Sequence, residues 1–339
     1  MNDLSIIKRF TEKNPNNIER FGNKLNDALL YWRVILYIMK IHEILTTYES
    51  EKSTMPILLK GNETLAYRDP TCIFVDGTYH LFFTVSKKEN GYMYNFVGHS
   101  TSKDLKTFSE VTILTEKDPR KNFCSPGNVL RVGEHYRIFI CSYPMPKPLT
   151  EMSYADETAR LFFIETKDFV TFSFPQKIYA KGLDCIDEGR MIDPFVLEDR
   201  DQAARYLLFF KQKGVSVSES YDLRNWRYLG SADGGENACV LVEDGTYLLL
   251  HSPHNGIGLK KSDDLSVWQD CGTVLPKESN EEWANGRLTA AFAMKNEDPT
   301  IPYRYIVFFH GSKKDAHPET HGAASLAMYY TNDFKTYIF

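Results

Sequence analysis

Two textures of hydrophobic patterning divide the chain. Between about Asn17 and Glu49, the residues Ile18, Phe21, Leu25, Leu29, Trp32, Ile35, Ile38, Ile41 and Leu45 recur at steps of three and four, on one face of a helix. No proline interrupts the stretch, and Gly22 is its only helix-weakening residue. Residues 1–55 are therefore expected to form a helical segment. Its stripe packs on its own domain or, as the competing role, builds a homo-oligomer. After Pro56 the texture changes to short apolar runs separated by turn residues. The clearest are Ile73–Phe83 and Val240–Leu250, each folded about an Asp-Gly pair, with looser versions at 129–140, 195–210 and 292–309.

A second pattern runs in phase with these strand pairs. A Ser/Thr-x-Asp-Leu/Phe-x-x-aromatic box begins at Ser102, Thr166, Ser220, Ser262 and Thr331 and ends at Phe108, Phe172, Trp226, Trp268 and Tyr337. Its Asp reads as a cap on backbone amides in a hairpin turn, and its aromatic as a plug between neighbouring sheets. Two strands before each box and one on either side of its turn give four-stranded units. Successive boxes stand about 40 to 70 residues apart. That spacing predicts an all-β, five-bladed β-propeller over residues 56–339. Trp226 and Trp268 then belong to the repeat and Trp32 to the helical stripe, leaving Trp283 outside any structural pattern.

Bulk composition narrows the partners. The 339 residues are 42% hydrophobic and 14% aromatic, ample for a large core. The net charge is −5 with both signs interspersed, which disfavours nucleic acid and other polyanions. Six scattered cysteines show no metal-ligand spacing and read as buried small hydrophobes in a reduced, cytoplasmic protein. The N-terminus has no apolar signal segment. Leu29–Leu45 carries Arg33, Lys40, His42 and Glu43, too many polar groups for a membrane span.

In a propeller, the first strand of each blade lines the central channel. Residues at the start of those strands therefore converge, however far apart in sequence. Here they are Asp69-Pro70, Cys124 to Asn128, Asp193-Pro194, Glu236-Asn237 and Gly286-Arg287. Three of the five blades offer a carboxylate there, read as sharing one register. Converging carboxylates suit glycosidic bond cleavage, in which one group stays ionised to activate water or attack carbon and another keeps a proton for the leaving oxygen. Asn128, Arg190, Trp283 and Arg287 are candidate substrate contacts, Trp283 because an aromatic face stacks on a sugar ring. Arg190, Lys211 and Arg287 read as a basic rim for an acidic or hydroxyl-rich sugar.

From about residue 65 onward the chain resembles the five-bladed clan of glycoside hydrolases, most closely family 43. The resemblance rests on Asp69-Pro70, on Cys124-Ser125-Pro126 in place of a Trp-Ala-Pro box, on Ile192-Asp193-Pro194-Phe195 and on Glu236-Asn237-Ala238. It implies Asp69 as general base, Asp193 as the residue that orients and tunes the acid, and Glu236 as general acid of an inverting mechanism. A late Gly-His of the family falls on Gly286-Arg287 and a final Tyr-His on Phe309-His310. With Arg287 in place of that His, the axial calcium of some relatives is not supported, and no organic cofactor is implied. Retaining fructan hydrolases, phosphorylases and a non-catalytic sugar-binding propeller remain as alternatives.

Overall fold

The computed structural model describes residues 55–151, 157–183, 189–254, 256–275, 279, 281–314 and 323–339. The helical stripe lies outside the described residues. The rest is five antiparallel four-stranded sheets. Blade 1 is β2 (Leu65–Val75), β3 (Thr78–Glu89), β4 (Tyr92–Ser102) and β5 (Thr112–Ile113). Blade 2 is β6 (Phe123–Val132), β7 (His135–Ser142), β8 (Arg160–Thr166) and β9 (Gln176–Lys177). Blade 3 is β10 (Ile192–Glu198), β11 (Tyr206–Lys211), β12 (Val215–Ser220) and β13 (Arg227–Ala232). Blade 4 is β14 (Glu236–Glu243), β15 (Thr246–Ser252), β16 (Ile257–Ser262) and β17 (Gln269–Leu275).

Blade 5 departs from the sequence reading. Its inner strands are β18 (Arg287–Lys295), β19 (Tyr305–Ser312) and β20 (Ser325–Thr331), but its outer strand is β1 (Ile57–Leu59), from before blade 1. The last box therefore has no strand of its own beyond it, and β1 ties the two ends of the ring together. The innermost strands β2, β6, β10, β14 and β18 touch in that order, and β18 touches β2, which closes the channel.

The boxes do what their chemistry predicts. In every blade the Asp Oδ1 accepts two successive backbone N–H groups, as Asp168 does from Val170 and Thr171 at 2.9 and 2.8 Å. The residue after the Asp takes a positive φ in each copy, from 55° at Phe169 to 65° at Leu265. Between blades the core is aromatic. The second strands bring Phe82-Phe83, Phe139, Phe209-Phe210 and Phe308-Phe309 to essentially complete burial, each contributing roughly 2 kcal/mol. Cys72, Cys124, Cys141 and Cys239 are buried thiols, as expected, while Cys271 is exposed. Among the described residues, no helix is long and apolar enough to cross a membrane.

Candidate active site

The channel end is built from one local device used five times. Each innermost strand bulges shortly after its start, so that two residues, or three in blade 2, lie opposite one residue of the neighbouring strand. The first bulge residue is left-handed in every blade: Asp69 (φ 47°), Ser125 (46°), Asp193 (54°), Asn237 (55°) and Ala290 (55°). Proline follows in three blades, where its missing N–H suits a position that has left the ladder. Blade 2 needs its extra Gly127, because a Cβ there would fall 1.5 Å from the Pro194 carbonyl oxygen of blade 3.

This register corrects the one read from sequence. Asp69 and Asp193 occupy equivalent positions, but Glu236 stands one residue earlier and pairs with Ser252 across the ladder. Its counterparts are Arg68, Cys124, Ile192 and Thr289. The blade 5 bulge is Ala290-Ala291, so Gly286-Arg287 lies nearer the strand start than the sequence reading assumed. Arg287 and Arg190 instead share a position, each two residues before the residue that pairs just ahead of the bulge.

Despite the offset, Asp69, Asp193 and Glu236 line one cavity of about 500 Å³, together with Arg68, Arg190 and Arg287. Asp69 is 5% exposed, and its Oδ2 accepts from Arg68 Nη2 at 3.0 Å, Thr84 Oγ1 at 2.9 Å and Ser125 Oγ at 3.2 Å. Burial opposes its charge, but the Arg68 guanidinium and these donors outweigh burial and hold the carboxyl well below the usual carboxylate range. Thr84 Oγ1 also accepts from the Ser125 N–H at 2.7 Å, which links blades 1 and 2 behind the carboxylate.

Asp193 is equally buried, yet its surroundings act the other way. Burial, then the charges of Glu236 and Asp69, push it up to about 7, against the N–H of Asn237 donated to Oδ2 at 3.0 Å and the more distant Arg190. The site thus holds Asp69 ionised throughout, while Asp193 keeps its proton up to about pH 7. Glu236 is more open, its side chain 37% exposed and ion-paired with Arg190. Arg190 also lies over the Tyr143 ring at 6.0 Å.

Two sequence candidates have other employment. The Asn128 amide is spent on the backbone of blade 3, donating to Val196 O at 2.6 Å and accepting its N–H at 2.9 Å. Trp283 packs against Gly311 and the core and donates its indole N–H to Glu281 at 3.1 Å, and it does not line the cavity. Arg68, Thr84 and Ser125 went unassigned in the sequence reading. The visible signal was Thr84, a hydroxyl within the apolar run of β3.

Among the described residues, the His310 imidazole at the axis does not offer a lone pair to a calcium ion. His310 Nδ1 accepts the Asp69 N–H at 3.2 Å, and burial keeps the ring neutral, so its buried Nε2 carries a proton rather than a lone pair. Its 3.7 Å approach to Asp69 Oδ1 is accordingly not an ion pair. Among the described residues, no three His, Cys, Asp or Glu side chains group at metal-binding distances.

No family model matches the chain, and no curated protein matches it in sequence. Its fold does match solved structures. A family 117 glycoside hydrolase from the marine bacterium Zobellia galactanivorans is 14% identical, with a TM-score of 0.58 over 80% of this chain and 87% of that one. The catalytic domain of a family 62 α-L-arabinofuranosidase from Coprinopsis cinerea is 12% identical, with a TM-score of 0.59 over 80% and 94%. A family 43 protein from Bacillus licheniformis is 15% identical, with a TM-score of 0.56, covering 84% of this chain and 56% of its own length. At these identities the likeness is one of fold: this is the five-bladed propeller that those glycoside hydrolases share.

Proposed function

We propose that the chain is a glycosidase that cleaves by inversion. The observation that carries this reading is the pair of buried carboxyls that line one cavity with opposed environments, Asp69 held ionised by Arg68 and its hydroxyl donors and Asp193 pushed up to about 7 by burial and its acidic neighbours. Asp69 takes the proton of the attacking water. Glu236, the most open of the three carboxyls, faces the leaving oxygen; the proton held on Asp193 passes to Glu236 and from it to that oxygen as the glycosidic bond breaks, and the proton taken up by Asp69 returns to solvent with product release. Arg190 aims the Glu236 carboxyl, and the bulges fix both Asp side chains on rigid strands rather than loops. The fold likeness to glycoside hydrolases supports the reaction class.

Proton NMR of sugar release from a panel of arabinosides, xylosides, galactosides, uronosides and fructans tests the reading. A product of opposite anomeric configuration supports it. Retained configuration would make Asp69 a nucleophile instead, and tight binding without turnover would make this a binding propeller. Activated aryl glycosides then identify the donor: they restore turnover to the Glu236→Gln variant but not to Asp69→Asn.

A further inference from the structure

The candidate cavity has a larger neighbour. A second cavity of about 850 Å³ opens along blades 3 and 4, and Glu236 and Arg287 form a wall common to both. Among the described residues, these two cavities carry eight Lys or Arg side chains and five carboxylates, in a chain whose net charge is −5. One end of the channel is thus cationic on a molecule that is anionic overall.

The carboxylates there are already committed. Asp69 is bonded to Arg68, Glu236 to Arg190 and Asp233 to Lys260. Asp270 accepts the Gly272 N–H at 2.7 Å, and Asp193 holds the Asn237 N–H. Among the described residues Arg287 has no such partner: its Nε is shielded from solvent and lacks a hydrogen-bond acceptor, and no described carboxylate pairs with it. Burial and the neighbouring Arg68 press on its charge more than the nearby Asp69, Glu236 and Asp193 support it, none of which bonds to it. Among the described residues, Lys211 donates to the Gly234 carbonyl at 3.1 Å and to no carboxylate.

Aromatic platforms are scarce in the same walls. Tyr143, already beneath Arg190, is the only Phe, Tyr or Trp lining either cavity among the described residues. A neutral sugar would find little to stack on, whereas a carboxylate or sulfate would find a guanidinium fork fitted to two of its oxygens.

We propose that the sugar bound here carries an anionic group, a carboxylate or a sulfate ester, held by Arg287 at the joint of the two cavities with Lys211 beside it. This rests on the glycosidase reading for its chemistry but not for its binding. The geometry places the anion beside Glu236, so the charged sugar is one of the two units flanking the cleaved bond.

Matched glycoside pairs test the proposal on the full chain: a hexoside against its hexuronoside, and an unsulfated glycoside against its 6-sulfate. The anionic member of one pair should have a kcat/KM about 10- to 100-fold higher, a ratio that shrinks with added salt. Which pair shows it separates carboxylate from sulfate. The Arg287→Gln variant should collapse the ratio toward one, and Arg287→Lys should restore part of it. Calorimetry with free galacturonate, glucuronate and sodium sulfate reads the site without turnover and without a variant.

The outcomes separate the two claims. Anion binding that is lost with Arg287→Gln, in the absence of any turnover, keeps the anionic site and removes the glycosidase reading. Neutral glycosides cleaved as well as their anionic partners overturn the proposal and leave the glycosidase standing. Turnover that requires inorganic phosphate assigns the cations to a co-substrate and also overturns it, as does the absence of both anion binding and anionic preference.

Discussion

The outer turns and the inner bulges are both five-fold repeats with a left-handed residue in each copy, yet the chain treats them oppositely. At the outer turns the side chains hardly vary: Ser or Thr, then Asp, then Leu or Phe at φ 55° to 65°. Every copy uses the Asp in the same way, on its own backbone. At the inner bulges the backbone repeats as faithfully, but the left-handed residue is Asp, Ser, Asp, Asn or Ala. Repeated chemistry marks what each blade needs to fold. Repeated geometry with divergent chemistry marks where the ring has been put to use. The energetic stakes differ accordingly, because the outer Asp residues meet water while Asp69 and Asp193 hold their ionisation states inside the channel.

The largest effect should come from breaking the inner repeat at Asp69. Asparagine keeps the shape and the left-handed preference but removes the charge opposite Arg68, whose side chain is itself only 14% exposed. Loss of the base should lower kcat/KM by roughly 10²- to 10⁴-fold. Leaving Arg68 without its partner should cost about 3 kcal/mol in denaturant unfolding. An Asp69→Asn protein of ordinary stability and activity would place the chemistry elsewhere and erase the distinction between the two repeats.

Asp193 offers a test with a sign. Its folded value near 7 stands above the roughly 3.9 of an unfolded Asp, so the folded protein binds the proton more tightly. Its contribution to stability is therefore fullest below about pH 4 and is lost as pH rises to about 7. Above that, the buried charge costs up to about 4 kcal/mol. Asp193→Asn removes this dependence, so its stability relative to the parent should rise between pH 4 and 7 and level off beyond. Urea unfolding at pH 5 and pH 8 measures it, and an equal difference at both values would refute the buried proton. Activity follows the same proton. In the parent, kcat/KM should fall above about pH 7 while the acidic side stays flat to well below the carboxylate range, since Asp69 is held ionised there.

The two repeats also explain what could be read in advance. Five nearly identical boxes in phase with strand pairs announce five blades, because redundancy survives the absence of any aligned relative. The three carboxylates were visible because two of the four Asp-Pro pairs, at Asp69 and Asp193, stand near the start of an innermost strand, and Glu236 opens a corresponding strand. Their true register was not, since a bulge sets two residues against one and shifts any count made along the chain. Asn128 and Trp283 looked available for a ligand, and only the fold shows the backbone of Val196 and the Glu281 carboxylate satisfying them. Strand β1, three residues long, is too short to carry a period of its own. The cationic joint at Arg287 was legible only as a basic rim of Arg190, Lys211 and Arg287, and not as the wall between two cavities. Its neighbours come from three blades, and the net charge of the whole chain has the opposite sign.

The smallest effect should come from the outer repeat, at Asp222 in the turn after β12. Its carboxylate accepts the N–H groups of Arg224 and Asn225 at 2.9 and 2.7 Å and the Asn225 side-chain amide at 2.7 Å, just before the buried Trp226. Asp222→Ala removes these three bonds and a fourth from the buried Ser220 Oγ at 3.0 Å, but the Arg224 and Asn225 donors are exposed and water can satisfy them, so the melting temperature should fall by only about 2–4 °C. No atom of this turn lines either cavity, and kcat/KM should match the parent. The contrast is sharpest here. If removing an Asp that occurs in all five blades impaired turnover as much as removing one that occurs in two, sequence repetition would not be separating folding from function in this ring, and the outer turns would have to be coupled to the channel through the blade.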